Sequence, residues 1–126
     1  MIVLLKDGDY ENILTKWWVA RDFPVPPKDY LSDTGYMVWD GDVPVCAAFL
    51  YGTNSKIAWC TWVISNPDYR GKKDALMLLI TFMVEVARGT GYKYVYAPAK
   101  NSRLLDVLDT LGFVRGDKME ETIKIL

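Results

Sequence analysis

The second half of the sequence contains the pattern that most narrows the possible folds. An apolar run at residues 57 to 65 is followed by an Asn-Pro-Asp turn signal and then by apolar residues at helical spacing over residues 73 to 88. Glycines end that pattern, and a second apolar run follows at residues 92 to 97. A strand, a helix and a strand in this order predict a βαβ unit, in which the two strands are parallel.

The first half predicts antiparallel pairing instead. Asp40-Gly41 separates apolar runs at residues 36 to 39 and 43 to 51, which is a strong hairpin signal. Residues 2 to 5 form another short apolar run. The chain therefore predicts an α/β (α+β) domain with a mixed, mostly antiparallel central sheet and helices on both faces.

Three further segments complete the predicted order of elements. Apolar residues recur at helical spacing over residues 10 to 18, and the prolines at 24 to 27 prevent helix after them. Asn101 or Ser102 is expected to begin a last helix that Gly112 ends. Residues 113 to 114 and 121 to 126 are expected to form a closing hairpin. At 126 residues, the whole range 1–126 is expected to be one domain.

Composition and charge exclude several functions. The formal net charge is −1, so nucleic-acid binding through a general basic field is not expected. The chain has no histidine, which removes histidine-assisted nucleophiles and the commonest metal ligand, and no metal site is predicted. No apolar run reaches the roughly 20 residues of a membrane helix. The N-terminus lacks the basic region of a signal peptide, so a cytoplasmic location is expected, with two buried free cysteines.

The loop before the predicted helix of residues 73 to 88 has the features of an anion site. A helix N-terminus offers unpaired N–H groups and the positive end of the helix dipole, where phosphates bind readily. Gly71 allows close approach of the backbone, and Arg70, Lys72 and Lys73 add positive charge. From the loop alone, an anion site and a solvated, charged helix start are both open.

A family resemblance favours the anion site over the solvated helix start. The stretch NPDYRGKKDALMLLITFMVEVARGTGYKYVY, followed by Asn101-Ser102 and Leu111-Gly112-Phe113, resembles the GNAT superfamily of acyltransferases. The resemblance covers roughly residues 36 to 115. It implies a GNAT-like sheet in which the parallel pair of strands splays apart, and acetyl-CoA as the acyl donor.

The resemblance also implies which residues bind the donor. In the family, the end of the strand before the loop pairs with the pantetheine arm through its backbone, and the loop holds the pyrophosphate. Lys73 stands where the family prefers glycine, and Asp74 adds a negative charge near the same place. The implied cofactor-binding residues are Ile64, Ser65, Arg70, Gly71, Lys72, Lys73, Asp74, Ala75 and Asn101.

The acceptor side is less well marked. In the family, the first helix and the loop after it shape the acceptor site, which makes Trp18 and Arg21 candidates for binding a small-molecule or protein amine. Trp62, in the strand before the anion loop, is a further candidate. The alternative for each tryptophan is a place in an aromatic core.

Neither of the usual catalytic groups is at its family position, so the catalytic residues stay unknown. Leu108 stands where the family often has a tyrosine that protonates the leaving thiolate, and the strand at residues 57 to 65 has no carboxylate. The predicted function is transfer of an acetyl group from acetyl-CoA to an amine in a ternary complex. The alternative is a catalytically inactive binding or regulatory protein on the same fold, such as a virus-encoded protein that contacts a host factor.

Overall fold

The computed structural model describes residues 1–71 and 73–126, and the predicted role of Lys72 therefore lies outside the described residues. A π-helical turn at Tyr10–Leu14 runs directly into the first helix, and a short 3₁₀ helix covers Lys28–Tyr30. The other elements are β1 (Ile2–Leu4), α1 (Thr15–Ala20), β2 (Gly35–Asp40), β3 (Val43–Tyr51), β4 (Ile57–Ser65), α2 (Ala75–Thr90), β5 (Tyr94–Tyr96) and α3 (Ser102–Thr110).

The five strands form one mixed sheet in the order β1-β2-β3-β4-β5. The first three pairings are antiparallel, and β4 pairs with β5 in parallel. Gly41 has φ of +60° in the turn between β2 and β3, a conformation that glycine adopts without strain. The predicted α+β class and the mixed, mostly antiparallel sheet are confirmed.

Alternate residues of β3 point into two separate cores. Cys46, Ala48 and Leu50 pack with α2 and α3, whereas Ala47 and Phe49 pack with α1 on the opposite face. This alternation follows from the two-residue period of a strand, and it needs both faces of the central strand to be apolar. Helices therefore cover both faces of the sheet, as predicted.

Helix α2 is the longest element and fixes one face of the sheet. Leu79, Ile80 and Met83 are at most 1% exposed and pack against the sheet. Gly91 ends the helix in the left-handed conformation, with φ of +104°. The helix begins at Ala75, two residues later than predicted, and Lys73 and Asp74 precede it in a turn.

The predicted closing hairpin is wrong. The structure assigns no strand to residues 113–114 or 121–126, all of which are described, and the side chains from Val114 onward are exposed. The alternating pattern Thr122-Ile123-Lys124-Ile125 favours a strand, but a strand needs a partner to satisfy its backbone hydrogen bonds. In the described chain this segment has none.

Among the described residues, the helices are too short or too polar to traverse a lipid bilayer.

Candidate functional site

The parallel strands β4 and β5 diverge after three residue pairs. Ile57, Ala58 and Trp59 face Tyr94, Val95 and Tyr96, and β5 ends there. Strand β4 continues to Ser65 and keeps its pairing with β3. The second half of β4 therefore borders a gap on its β5 side, into which an extended ligand can place hydrogen-bonding groups.

A bulge interrupts β4 beside this gap. Thr61 pairs with Phe49 and Ile64 with Ala47, so two residues of β4 lie opposite the single residue Ala48. Trp62, one of the two, has φ of +55°, which is rare for a large side chain. Bulges of this kind turn backbone groups away from the ladder, and backbone strain often occurs at functional sites.

Arg21 and Ser65, two of the predicted site residues, are in direct contact. The Arg21 guanidinium donates from Nε to the Ser65 carbonyl and from a terminal nitrogen to Ser65 Oγ, both at 2.8 Å. Arg21 follows α1 at its C-terminus, so this contact connects α1 with the end of β4. The serine side chain, predicted to serve through its backbone alone, is itself a hydrogen-bond partner.

Side-chain hydrogen bonds shape the loop between β4 and α2. Asn66 donates from Nδ2 to the Pro44 carbonyl at 2.9 Å and accepts at Oδ1 from the backbone N–H of Asp68, also at 2.9 Å. The second bond is an Asx turn, which reverses the chain immediately after the strand. Asn66 therefore fixes the path by which the chain leaves β4.

The Tyr69 side chain lies close against Gly71. The Tyr69 hydroxyl donates to Asp40 Oδ2 at 2.8 Å, which holds the ring across the loop. A Cβ atom on Gly71 would collide with the hydroxyl end of that ring. Gly71 thus permits the Tyr69 side chain to approach the backbone of its own loop. Asp40, at the hairpin turn, fixes the position of Tyr69 through the hydrogen bond.

The N-terminus of α2 has no side-chain cap. Asp74 occupies the capping position, but its carboxylate makes no capping bond to the helix. The first-turn N–H groups are therefore without the side-chain acceptor that usually satisfies one of them. Next to them, Arg70 folds back and donates to the Pro67 carbonyl at 2.7 Å, while Lys73 is exposed.

A cavity of about 40 Å³ lies between β3, the end of β4 and the start of α2. This volume exceeds the roughly 10–15 Å³ that a single water molecule needs. Its lining brings together Ser65, Lys73 and Ala75, three of the predicted cofactor-binding residues, with Arg103 from the first turn of α3. The lining residues are Val45, Cys46, Ser65, Asn66, Tyr69, Lys73, Ala75, Leu76 and Arg103.

Sequence reasoning missed Arg103, although a signal was present. A cation in the first turn of a helix faces the positive end of the helix dipole, which is unfavourable unless an anion is nearby. Arg103 lies two residues after Asn101, at that unfavourable place. Together with Lys73, it gives the lining of the cavity two positive side chains, and Arg70 lies in the loop before α2.

Asn101 caps α3, as predicted for Asn101 or Ser102. Its Oδ1 accepts from the backbone N–H groups of Arg103 at 2.9 Å and Leu104 at 3.2 Å. Further along the same helix, Leu108 is 4% exposed and belongs to the core beneath the sheet. An apolar side chain therefore fills the position at which the family often has its tyrosine.

The two cysteines are unsuited to nucleophilic catalysis. Burial raises the pKa of Cys46 to about 12, although the positive charge of Arg103 acts in the opposite direction. Burial likewise raises the pKa of Cys60 to about 12. Because the thiolate is the reactive form, both groups are inert thiols at neutral pH.

The two predicted acceptor tryptophans are placed differently. Trp18 is 3% exposed and packs in the core beneath α1, with its ring centroid 6.5 Å from that of Tyr10. Trp62, at the bulge, is half-buried, and its ring centroid lies 6.4 Å from that of Tyr30. The Trp62 ring is therefore partly accessible to a ligand, whereas the buried Trp18 ring is not.

Comparison with known proteins gives a clear result for structure only. No protein-family model and no curated protein matches this sequence. The fold is similar to a transcriptional regulator from Bacillus halodurans C-125, with a TM-score of 0.74, 14% identity and coverage of 98% of this chain and 99% of that one. A Trypanosoma brucei acetyltransferase gives a TM-score of 0.68, 16% identity and coverage of 99% of both chains.

A third similar structure contains a ligand. AAC(6')-Iy, in complex with the bisubstrate analogue CoA-S-monomethyl-acetylneamine, gives a TM-score of 0.72, 15% identity and coverage of 100% of this chain and 98% of that one. These structural matches extend over nearly the full length of both chains. The chain therefore has the fold of the GNAT acetyltransferases, including the diverging parallel pair of strands.

Proposed function

We propose that the protein is an acyl-CoA N-acyltransferase that moves an acetyl group from acetyl-CoA to an amine. The observation that carries the proposal is the gap beside the second half of β4, together with an uncapped helix start at a cavity that Lys73 and Arg103 line. Arg70 lies in the loop just before that helix. An extended arm followed by a diphosphate has the shape and the charge that this arrangement complements.

In this proposal, the donor binds through backbone groups and positive side chains. The backbone of Ile64 and Ser65 pairs with the pantetheine arm, and the pyrophosphate lies at the mouth of the small cavity, against the start of α2. Arg70 and Lys73 are exposed and can reach it, whereas the exposed Asp74 carboxylate is unfavourable unless it turns outward. The neighbouring positions Gly71, Lys72, Ala75 and Asn101 complete the proposed donor site.

The contact between Arg21 and Ser65 is compatible with this arrangement. A carbonyl oxygen has two lone pairs, so the Ser65 carbonyl can accept from Arg21 and from an amide of the ligand. The guanidinium also carries its charge to the end of the strand at which the proposed arm enters. Arg21 is therefore proposed to position the Ser65 backbone and to be close to the acceptor.

The proposed chemistry is direct attack of a neutral amine on the thioester carbonyl. A C–N bond forms, the C–S bond breaks, the thiolate of CoA leaves, and the proton that the amine loses passes to that thiolate, so the products are an amide and free CoA. Backbone N–H groups at the bulge around Trp62 are suited to stabilise the negative charge on the carbonyl oxygen. The two positions that usually supply the acid and the base hold neither, since Leu108 is buried and β4 has no carboxylate. Positioning of the two substrates then supplies much of the rate.

The test is steady release of free CoA thiol when the purified protein is given acetyl-CoA and a panel of amines. The panel should include polyamines, aminosugars, a lysine peptide and a peptide with a free N-terminus. Repeated turnover with any of them, together with acetylated product in the mass spectrum, supports the proposal. Binding of acetyl-CoA with no turnover on any amine would contradict the enzymatic part.

That second outcome would favour the alternative, a catalytically inactive binding or regulatory protein. Its supporting observation is the buried Leu108 in place of a proton donor. One of the similar structures is named a transcriptional regulator, so proteins with this fold carry names from both classes.

A further inference from the structure

Three aromatic side chains lie side by side across one face of the sheet. Tyr51 of β3 pairs with Trp59 of β4, and Trp59 pairs with Tyr96 of β5. Side chains of directly paired residues lie on the same face of a sheet. The Trp59 and Tyr96 rings are in contact, with centroids 4.4 Å apart. These three residues are called the aromatic row below.

The aromatic row lies on the α1 side of the sheet, and part of it is exposed. Ala58 and Cys60, on either side of Trp59 in the sequence, pack in the core with α2. Because side chains alternate along a strand, Trp59 points to the opposite face. Tyr51 packs against the core beneath α1, whereas Trp59 is 41% exposed. The indole of Trp59 therefore offers an aromatic surface to a ligand.

The aromatic row is at the closed end of the gap beside the second half of β4. Trp59 and Tyr96 are the last pair of β4 and β5 before the two strands diverge. In the proposed function, the pyrophosphate is bound at the start of α2, beyond Ser65 at the opposite end of this gap. An arm that enters at Ser65 and extends along β4 carries its acetyl group toward the aromatic row. An acceptor that contacts the row is then close to the thioester.

The chemistry of the aromatic row suits a flat apolar ring. Strands β3, β4 and β5 contain no charged residue, so they provide no carboxylate for an ammonium group. The Tyr51 hydroxyl already donates to the Tyr30 carbonyl at 2.7 Å, and the Tyr96 hydroxyl contacts Met119 Sδ at 3.6 Å. The row therefore offers mainly the faces and edges of its rings, which pair favourably with another aromatic ring.

We infer that the acceptor is a primary amine that carries a flat aromatic ring, and that this ring stacks on Trp59. Since this assignment rests on the proposed acetyl transfer, it names the acceptor class for the same site and leaves the balance of atoms unchanged. The ring lies against the indole, and a short aliphatic chain places the amine beside the thioester. Trp59 binds the ring and takes no part in proton transfer.

The first experiment compares three amines by the rate at which free CoA thiol is released. Phenethylamine has a flat aromatic ring, cyclohexylethylamine has a ring of similar size without a π face, and putrescine has charge without a ring. The value of kcat/KM should be about 5- to 150-fold higher for phenethylamine than for the other two, the scale of stacking on an aromatic side chain. An equal or faster reaction of cyclohexylethylamine or putrescine would overturn the assignment.

Two substitutions of Trp59 test the residue itself. Trp59→Leu should raise KM for phenethylamine about 5-fold or more, while kcat/KM for putrescine and Kd for acetyl-CoA stay unchanged. Trp59→Phe keeps a ring and should restore most of the affinity for phenethylamine. Circular dichroism checks that both variants are folded. An unchanged KM for phenethylamine in Trp59→Leu, or an equal loss with putrescine, would contradict a role for Trp59 in binding the ring.

A binding measurement distinguishes this assignment from the proposed reaction. Phenethylamine is titrated calorimetrically into the protein in the presence of CoA, so that no acetyl transfer occurs. Saturable binding that weakens in Trp59→Leu supports the ring site even if no amine is acetylated, and only the proposed reaction then fails. Steady thiol release with putrescine, together with no binding of phenethylamine, would leave the proposed reaction intact and refute the aromatic acceptor.

Discussion

The N-termini of α2 and α3 lie at the same small cavity and differ in how their backbone is satisfied. At α3, the Asn101 side chain accepts from two backbone N–H groups of the first turn. At α2, Asp74 holds the same position without a capping bond. Each start has a positive side chain beside it, Arg103 in one case and Lys73 in the other.

The presence of a side-chain cap at α3 and its absence at α2 suggest different roles: the α3 start is structural, and the α2 start is the proposed binding site. At a capped N-terminus, the side chain already accepts from some of the first-turn N–H groups. At an uncapped N-terminus, those N–H groups are still available to bind an anion. The α3 start is closed by its own side chain and contributes Arg103. The α2 start has no side-chain cap, and it is the proposed pyrophosphate site.

The largest expected effect concerns the two buried thiols, of which only Cys46 lines the cavity. Cys46 lines the cavity and is influenced by Arg103, whereas Cys60 is buried away from it. If the charge of Arg103 were strong enough to deprotonate Cys46, Cys46 would react faster than Cys60. Since a pKa of about 12 replaces an ordinary 9.0 in both, thiolate should be about a thousandfold scarcer than in an exposed cysteine. Ellman's reagent at pH 8 should therefore label neither thiol in the folded protein and both after unfolding.

The same pKa values fix a pH dependence of stability. Above pH 9 the unfolded chain loses thiol protons that the folded chain keeps, so the free energy of unfolding should fall as pH rises from about 9 to about 12. Urea unfolding at pH 8 and pH 10 measures this change. Replacement of both cysteines by alanine should reduce the slope, and an unchanged slope would contradict the raised pKa values.

The next prediction compares a buried and an exposed leucine of α2, and it tests whether packing against the core holds this helix in place. Leu79 is fully buried and its neighbour Leu78 is 53% exposed, so the two leucines form a matched pair on one helix. Leu79→Ala should lower the free energy of unfolding by about 2–5 kcal/mol. Leu78→Ala should change it by less than about 1 kcal/mol. Similar losses for both variants would show that α2 is not held through its buried face.

A smaller effect is expected from the cations at the open start. Arg70→Ala and Arg103→Ala should each weaken acetyl-CoA binding by about 1–3 kcal/mol, the scale of a hydrogen bond to a charged group. This is about 5- to 150-fold in Kd. Arg88→Ala, near the opposite end of α2, removes an equal charge and should leave the affinity unchanged. Equal losses in all three variants would indicate general electrostatic attraction rather than a site.

The smallest effect is expected at the two capping positions, Asn101 of α3 and Asp74 of α2. Asn101→Ala removes a real cap and should destabilise the protein by about 1 kcal/mol. Asp74→Ala removes no capping bond and should leave stability nearly unchanged, while removal of its negative charge should tighten acetyl-CoA binding. Thermal unfolding with and without acetyl-CoA measures both results. An equal loss of stability in both variants would remove the distinction between the helix starts.

Local signals in the sequence were sufficient to predict most of the fold. The Asp40-Gly41 turn, the Asn-Pro-Asp sequence after β4 and the Asn101 cap each specify their geometry within a few residues. The strand pattern of the C-terminal segment was recognised, but its pairing was wrong. The alternation of apolar and polar residues indicates that a segment suits a strand, but it does not identify the strand with which that segment pairs.

The site was harder to predict because its contacts join distant parts of the chain. Arg21 reaches Ser65, and Tyr69 reaches Asp40, across separations that no local motif encodes. The bulge at Trp62 was also missed, since no glycine marks its positive φ. The close approach of the Tyr69 ring to Gly71 was likewise not evident from the sequence.

The most direct test of the central claim is a calorimetric titration of the wild-type protein with acetyl-CoA. An open, positively flanked α2 start predicts saturable heat with one site per chain. It also predicts that 3'-dephospho-CoA, which keeps the diphosphate, competes for that site, and that pantetheine without phosphates binds far more weakly. No saturable heat up to high micromolar acetyl-CoA, or pantetheine binding as tightly as acetyl-CoA, would contradict the assignment of the pyrophosphate to α2.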